Sequence, residues 1–120
     1  MDFEKRLQEM TGADFTYALS VGDWQGTTYY LLRKDGKYSV SELTYGSCSH
    51  CDWVMQIEES HGGHGPYPDS IYEPVIQHLL DQVCWRTKDE FFANSHMIFG
   101  IGSEDKEALE RFSEIIKGQQ

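Results

Sequence analysis

Apolar positions change their spacing along this chain, and each change marks an element. Residues 2–10 place Phe3, Leu7 and Met10 on one side of a short helix that Gly12 ends. From Phe15 the period drops to two. Phe15, Tyr17, Leu19 and Val21 alternate with small or polar residues, which predicts a half-buried strand over 15–21. Residues 22–26 read as a turn and 27–33 as a second β-rich run. Asp35-Gly36 is the hairpin turn that follows, since glycine accepts the positive φ such a turn needs. Residues 37–45 are the third strand, so the first half of the chain is an antiparallel meander.

The second half carries helical spacing. Asp52 is placed to cap a helix running to Ser60, with Trp53 and Ile57 on one face. The alternation of Trp53, Met55 and Ile57 also fits a fourth strand, and the helix is the favoured reading. Residues 61–69 hold Gly62, Gly63, Gly65, Pro66 and Pro68 and form a loop. Pro74 stands near the start of a further helix with an apolar stripe of Val75, Ile76, Leu79, Leu80 and Val83. Thr87 and Glu90 are spaced as a capping box for a short helix through Phe91 and Phe92. Residues 97–101 read as a short apolar strand closed by Gly102. Ser103 is then expected to cap a last helix over 104–117, with acids in its first turn, Lys117 in its last and Gly118 beyond. Its buried face would be Ala108, Leu109, Phe112, Ile115 and Ile116. The expected fold class is α+β, an antiparallel meander packed against helices in one small domain covering residues 1–120.

Composition supports a packed domain: 39% of the 120 residues are apolar and 13% are aromatic. No apolar run is long enough to span a membrane. The N-terminus lacks the basic-then-apolar order of a signal peptide, so a cytoplasmic protein with reduced thiols is expected. Three cysteines, an odd number, fit a disulfide framework poorly.

Charge changes the picture most. The net charge is −10, and between Tyr38 and Trp85 there is no Lys or Arg. Glu42, Asp52, Glu58, Glu59, Asp69, Glu73 and Asp81 all fall in that stretch. Such a surface repels phosphate, so no direct nucleic-acid binding is expected, and it would attract a basic protein. Glu42, Glu58, Glu59, Asp69 and Glu73 are the candidate partner-binding residues.

Candidate chemistry centres on Cys48-Ser49-His50-Cys51. With His61 and His64 the order becomes C-x2-C-x9-H-x2-H, the ligand inventory of a structural zinc site. Two thiolates would balance the ion, and the glycines around His61 and His64 would let the loop wrap. A helix over 52–60 would hold His61 roughly 15 Å from Cys51, so His64 is the safer histidine, and His50, His78 or Cys84 could substitute. The rival chemistry is thiol redox: a strand, a C-x-x-C and then a helix whose N-terminus favours the thiolate of Cys48. The hairpin meander before it and the missing proline between the cysteines depart from the thioredoxin pattern. No residues order themselves around a nucleophile, so the chain is read as non-enzymatic.

The motif Tyr45-Gly46-Ser47-Cys48-Ser49-His50-Cys51-Asp52, preceded by Trp24-Gln25-Gly26 and the Asp35-Gly36 hairpin, resembles a group of small phage and prophage proteins with a Y-G-S-C-S-G-C-D signature. His50 stands where that group usually has glycine. The resemblance covers about residues 22–60 and carries over Cys48, Cys51 and Asp52 as motif positions without an activity. It implies a phage setting, where small acidic proteins often inhibit host defence, anti-CRISPR proteins among them. The expected partner is then a basic surface of a nucleic-acid-handling host effector, such as a CRISPR effector nuclease.

Overall fold

Three strands, β1 (Phe15–Gly22), β2 (Gly26–Lys34) and β3 (Lys37–Tyr45), pair antiparallel in the order β1-β2-β3 in a computed structural model that describes residues 1–47, 52–100 and 102–119. The register sets Ala18 and Ser41 on either side of Tyr30, and Leu19 and Glu42 on either side of Tyr29. Asp35 (φ 52°) and Gly36 (φ 75°) make the β2–β3 turn in the left-handed region, as the Asp-Gly pair requires. At the other turn, a Cβ on Gly26 would lie 2.0 Å from the Val21 carbonyl oxygen, so only glycine fits there.

Helices cover both faces of this sheet. On one face lie α1 (Phe3–Thr11), α2 (Trp53–Ser60) and α3 (Glu73–Asp81), the last entered through a 3-10 turn over Asp69–Tyr72. There Leu7, Tyr30, Leu32, Leu43, Val75 and Leu79 form a buried cluster. On the other face α4 (Lys88–Ala93), α5 (Ser95–Ile98) and α6 (Ser103–Lys117) bring Phe91, Phe99 and Phe112 against Tyr29, Leu31 and Tyr38. The rings of that second core meet edge-on, as Tyr29 and Phe112 do at 6.4 Å. The fold is a small α+β domain, as the alternating and helical spacings predict.

Local chemistry starts the helices where expected. The Asp2 side chain accepts the Lys5 amide at 3.1 Å, and the Asp52 side chain accepts that of Met55 at 3.1 Å. Residues 53–60 are therefore helix and not a fourth strand. Thr87 and Glu90 exchange the two bonds of a capping box.

Two expectations are corrected. The run 97–101 is not a strand: Ser95–Ile98 is a helical turn, and Ile101 lies outside the described residues. Its amides find partners locally, with Met97 N–H donating to Asn94 O at 3.0 Å and Phe99 N–H to Ser95 O at 3.0 Å. Among its described residues, 97–100, only Phe99 is fully buried, while Met97 is 81% exposed. The cap of α6 is Gly102, whose amide donates to Asp105 Oδ2 at 3.2 Å, and Ser103 is already helical.

The outer edge of β3 is paired at Tyr38 and at Glu42. Tyr38 and Arg86 exchange backbone hydrogen bonds at 2.7 and 2.9 Å. Four residues along the strand, the Gln82 amide accepts from Glu42 N–H and donates to Glu42 O, both at 2.9 Å. Ser41 Oγ, fully buried, donates to the Leu79 carbonyl at 2.8 Å and ties α3 to the same strand. No helix among the described residues is long and apolar enough to cross a membrane.

Phe112 is wholly buried and touches Tyr17, Tyr29 and Phe99. Truncating it to alanine removes the centre of one core, and about 3–5 kcal/mol of stability should be lost. Urea unfolding of Phe112→Ala should show that loss; a change below about 1 kcal/mol would mean that the α6 face is not a cooperative core.

Candidate functional site

Asp52 organises the region around the cysteine motif. Its Oδ2 accepts the Gly46 amide at 3.1 Å, and its Oδ1 caps α2. One carboxylate thus joins the end of β3 to the start of α2. Cys48, His50 and Cys51, the thiol half of the zinc expectation, lie outside the described residues.

The histidines can be placed. His61 is the C-cap of α2, and its Nδ1 lies 3.0 Å from the Ile57 carbonyl of its own helix. Eight helical residues separate it from Asp52, about 13.5 Å along the axis. His64 is exposed in the following loop. His78 instead sits beside the start of α2, its ring 5.5 Å from that of Trp53 in an edge-on contact. Cys84 is exposed, and its amide donates to Ser39 Oγ at 2.8 Å. Among the described residues no three metal-ligating side chains converge.

The predicted acidic residues do not form one uniform patch. Glu58 is half-buried and accepts the Tyr72 hydroxyl at 2.6 Å, a contact that joins α2 to the 3-10 turn. Burial first, and then that carboxylate, push the Tyr72 phenol up to about 12. Glu59 and Asp69 are exposed on the same layer, and Glu73 is exposed but pairs with Arg6 of α1 at 3.5 Å. Met55, Glu58, Glu59, Gly63 and Tyr67 line a shallow depression of about 220 Å³.

Glu42 stands apart from these. It is half-buried on edge strand β3, where burial and then the nearby Asp105 charge hold its carboxyl above the usual range, with His78 acting the other way. Asp105 also accepts the Tyr29 hydroxyl at 2.7 Å, and Glu104 accepts from Thr27 Oγ1 at 3.4 Å. Tyr29 is driven upward by burial and by Asp105. These first-turn carboxylates of α6 are signalled in the sequence only as helix-start acids; their contact with β2 depends on tertiary packing. Trp24, 80% exposed in the β1–β2 turn, is a large apolar side chain left at the surface.

The sign of the Glu42 effect follows from linkage. Its folded-state value lies above the ordinary 4.5, so the unfolded chain releases this proton first as pH rises. Stability is therefore lost as pH rises through the window above 4.5, and the ionised carboxylate is a cost at neutral pH. Glu42→Gln should raise the thermal midpoint near pH 7, with the gain shrinking below pH 4.5, where the native side chain is protonated. Melting curves across pH 4 to 8 check this, and a variant less stable at pH 7 would show that the Glu42 charge is favourably paired.

Comparison of the chain with protein-family models, with curated proteins and with solved structures finds no match in any of the three.

Proposed function

We propose that this is a non-enzymatic binding protein that docks an acidic surface on a basic surface of a nucleic-acid-handling protein. The observation that carries the proposal is the layer made by α2, the 3-10 turn and α3. It presents Glu59 and Asp69 to solvent within a stretch of sequence that contains no Lys or Arg, with Lys5 and Arg6 of α1 as the basic neighbours on the Asp69 side. Opposite charge at this density speeds encounter and selects a cationic partner. Met55, 37% exposed, and half-buried Tyr67 supply an apolar centre next to the carboxylates, the mixture that interface cores and rims use. The resemblance of the Tyr45–Asp52 motif to phage proteins suggests a host defence effector as partner, with inhibition in the manner of an anti-CRISPR protein.

Glu58 is a poor residue with which to test this, because its reversal would break the Tyr72 contact. The double variant Glu59→Lys/Asp69→Lys changes exposed charge alone. Biolayer interferometry against purified CRISPR effector nucleases should show binding that weakens about tenfold or more between 50 and 500 mM salt, and by a similar factor in the double variant at low salt. Binding that ignores both salt and the two reversals would overturn the acidic-surface reading.

A second reading keeps a structural zinc as part of the functional unit, and the Trp53–His78 contact favours it. Trp53 follows Cys51 by two residues, so its edge-on partner His78 is a nearer source of imidazole than His61 at the far end of α2. Native mass spectrometry of protein purified without added metal should then find zinc that chelation removes. His78→Ala should lower zinc affinity roughly tenfold or more while His61→Ala leaves it unchanged. Metal-free protein with alkylation-reactive Cys48 and Cys51 would instead support thiol exchange.

A further inference from the structure

Helix α1 packs over β1 and α2 over β3, and between them the sheet carries an open groove of about 450 Å³. Tyr30 and Leu43 are its buried floor, together with Ser20 and Thr28, whose hydroxyls pair at 2.8 Å. Phe3 from α1 and Val54 from α2 are its apolar walls, and the Asp52 side chain lies at the same wall as Val54.

Tyr30 distinguishes this groove from the other depressions on the surface. It is only 7% exposed, yet its hydroxyl donates no hydrogen bond to any of the described residues. The other well-buried tyrosines all spend theirs inside the fold: Tyr29 on Asp105, Tyr38 on Gln119 and Tyr72 on Glu58. That oxygen is not cut off from solvent, since among the described residues no buried side-chain oxygen lacks a partner, so a ligand donor there would take the place of water. The charges that act on it are Glu4 and Asp2, which add to burial in pushing it up to about 12. Glu4 Oε2 accepts from Thr16 Oγ1 at 2.8 Å, which fixes that carboxylate on the α1 side. Arg6, the nearest guanidinium on α1, is turned to Glu9 and Glu73.

We infer that this groove receives an arginine side chain of the protein partner. The inference rests on the acidic-surface reading and gives it a specific contact. The occupant must lay an aliphatic stem on Phe3, Leu43 and Val54 and end in donors with positive charge, because Asp52 and Tyr30 line the groove and the Glu4 and Asp2 charges act on that phenol. Arginine meets each requirement: its weakly hydrated guanidinium has five N–H donors and stacks on aromatic faces such as Phe3 and Tyr45. Lysine has the charge but is more strongly hydrated and has no planar face to stack.

The test is an NMR titration of the ¹⁵N-labelled protein with an octapeptide of alternating glycine and arginine, beside matched peptides with lysine or citrulline. Amide shifts should concentrate at Ser20, Thr28, Tyr30, Leu43 and Val54, and the citrulline peptide should bind at least about fivefold more weakly. Tyr30→Phe keeps the packing and Glu4→Gln keeps an acceptor for Thr16, and each should weaken the arginine peptide about three- to tenfold with unfolding midpoints near that of the native protein. Equal binding of the citrulline peptide at the groove would overturn the inference, because the occupant would then be recognised without its charge. Equal binding of the arginine and lysine peptides there would overturn it as well. Shifts confined to Glu59, Asp69 and their neighbours would overturn the groove while leaving the acidic-surface reading intact. No shift anywhere with either cationic peptide would count against both.

Discussion

Strand β2 is buried on both faces, and most of the structure follows from that. Tyr29, Tyr30, Leu31 and Leu32 are consecutive and all buried, so successive side chains leave the strand into opposite cores. A three-stranded sheet cannot close on itself, and each of its apolar faces must be covered by something else. The covering helices are short, from four residues in α5 to fifteen in α6. Isolated helices of fewer than about 12–15 residues are marginal in water, so most of these exist because the sheet gives their apolar sides a surface to bury. The two tyrosines show what the double burial demands of polar atoms. Tyr29 reaches Asp105 at the start of α6, whereas Tyr30 emerges between α1 and α2, where no described group meets its hydroxyl.

The pairing at Tyr38 and Glu42 on the outer edge of β3 limits how an extended chain could bind there. An open edge strand offers unpaired N–H and C=O groups to any extended chain, and many peptide-binding domains use such an edge. Here Arg86 pairs with Tyr38 through the backbone, and the Gln82 side-chain amide satisfies both backbone groups of Glu42. At these two positions the backbone is already spent, so a second chain cannot pair with it there. Glu42 is itself a poor docking residue, since its carboxylate is half-buried and lies near the Asp105 charge.

How much of this was legible in the sequence depended on the range of the interactions involved. The meander was readable because period two and the Asp35-Gly36 turn are local signals, and α2 and α4 were readable because Asp52 and Thr87 act within three residues of themselves. Residues 97–101 misled because an apolar run of that length has no period of its own. What decides it is whether a strand edge lies alongside, and these amides instead bond back to Asn94 and Ser95. The site divided in the same way. The absence of Lys and Arg from 38 to 85 is plain in the sequence, but the roles of its carboxylates are tertiary facts: Glu58 holds Tyr72, Glu73 meets Arg6, and Glu59 and Asp69 remain free in solvent. His78 lies 25 residues from Trp53, so nothing in local spacing could place it beside α2 in preference to His61. The groove gave no local signal either, since Tyr30 reads as one more core residue of an alternating strand.

Screening separates what the two sets of acids can contribute. Exposed carboxylates such as Glu59 and Asp69 act through solvent, where a Debye length of about 8 Å at physiological salt confines them to steering a partner already close by. Glu4 and Asp2 act on Tyr30 beside the buried side chains of Tyr30 and Leu43, where charge is screened less than in open solvent. A guanidinium drawn in by the outer face would thus meet its discrimination in the groove. On this reading net charge sets how often cationic proteins arrive, and the groove between α1 and α2, with its carboxylates close by, sets which of them stays.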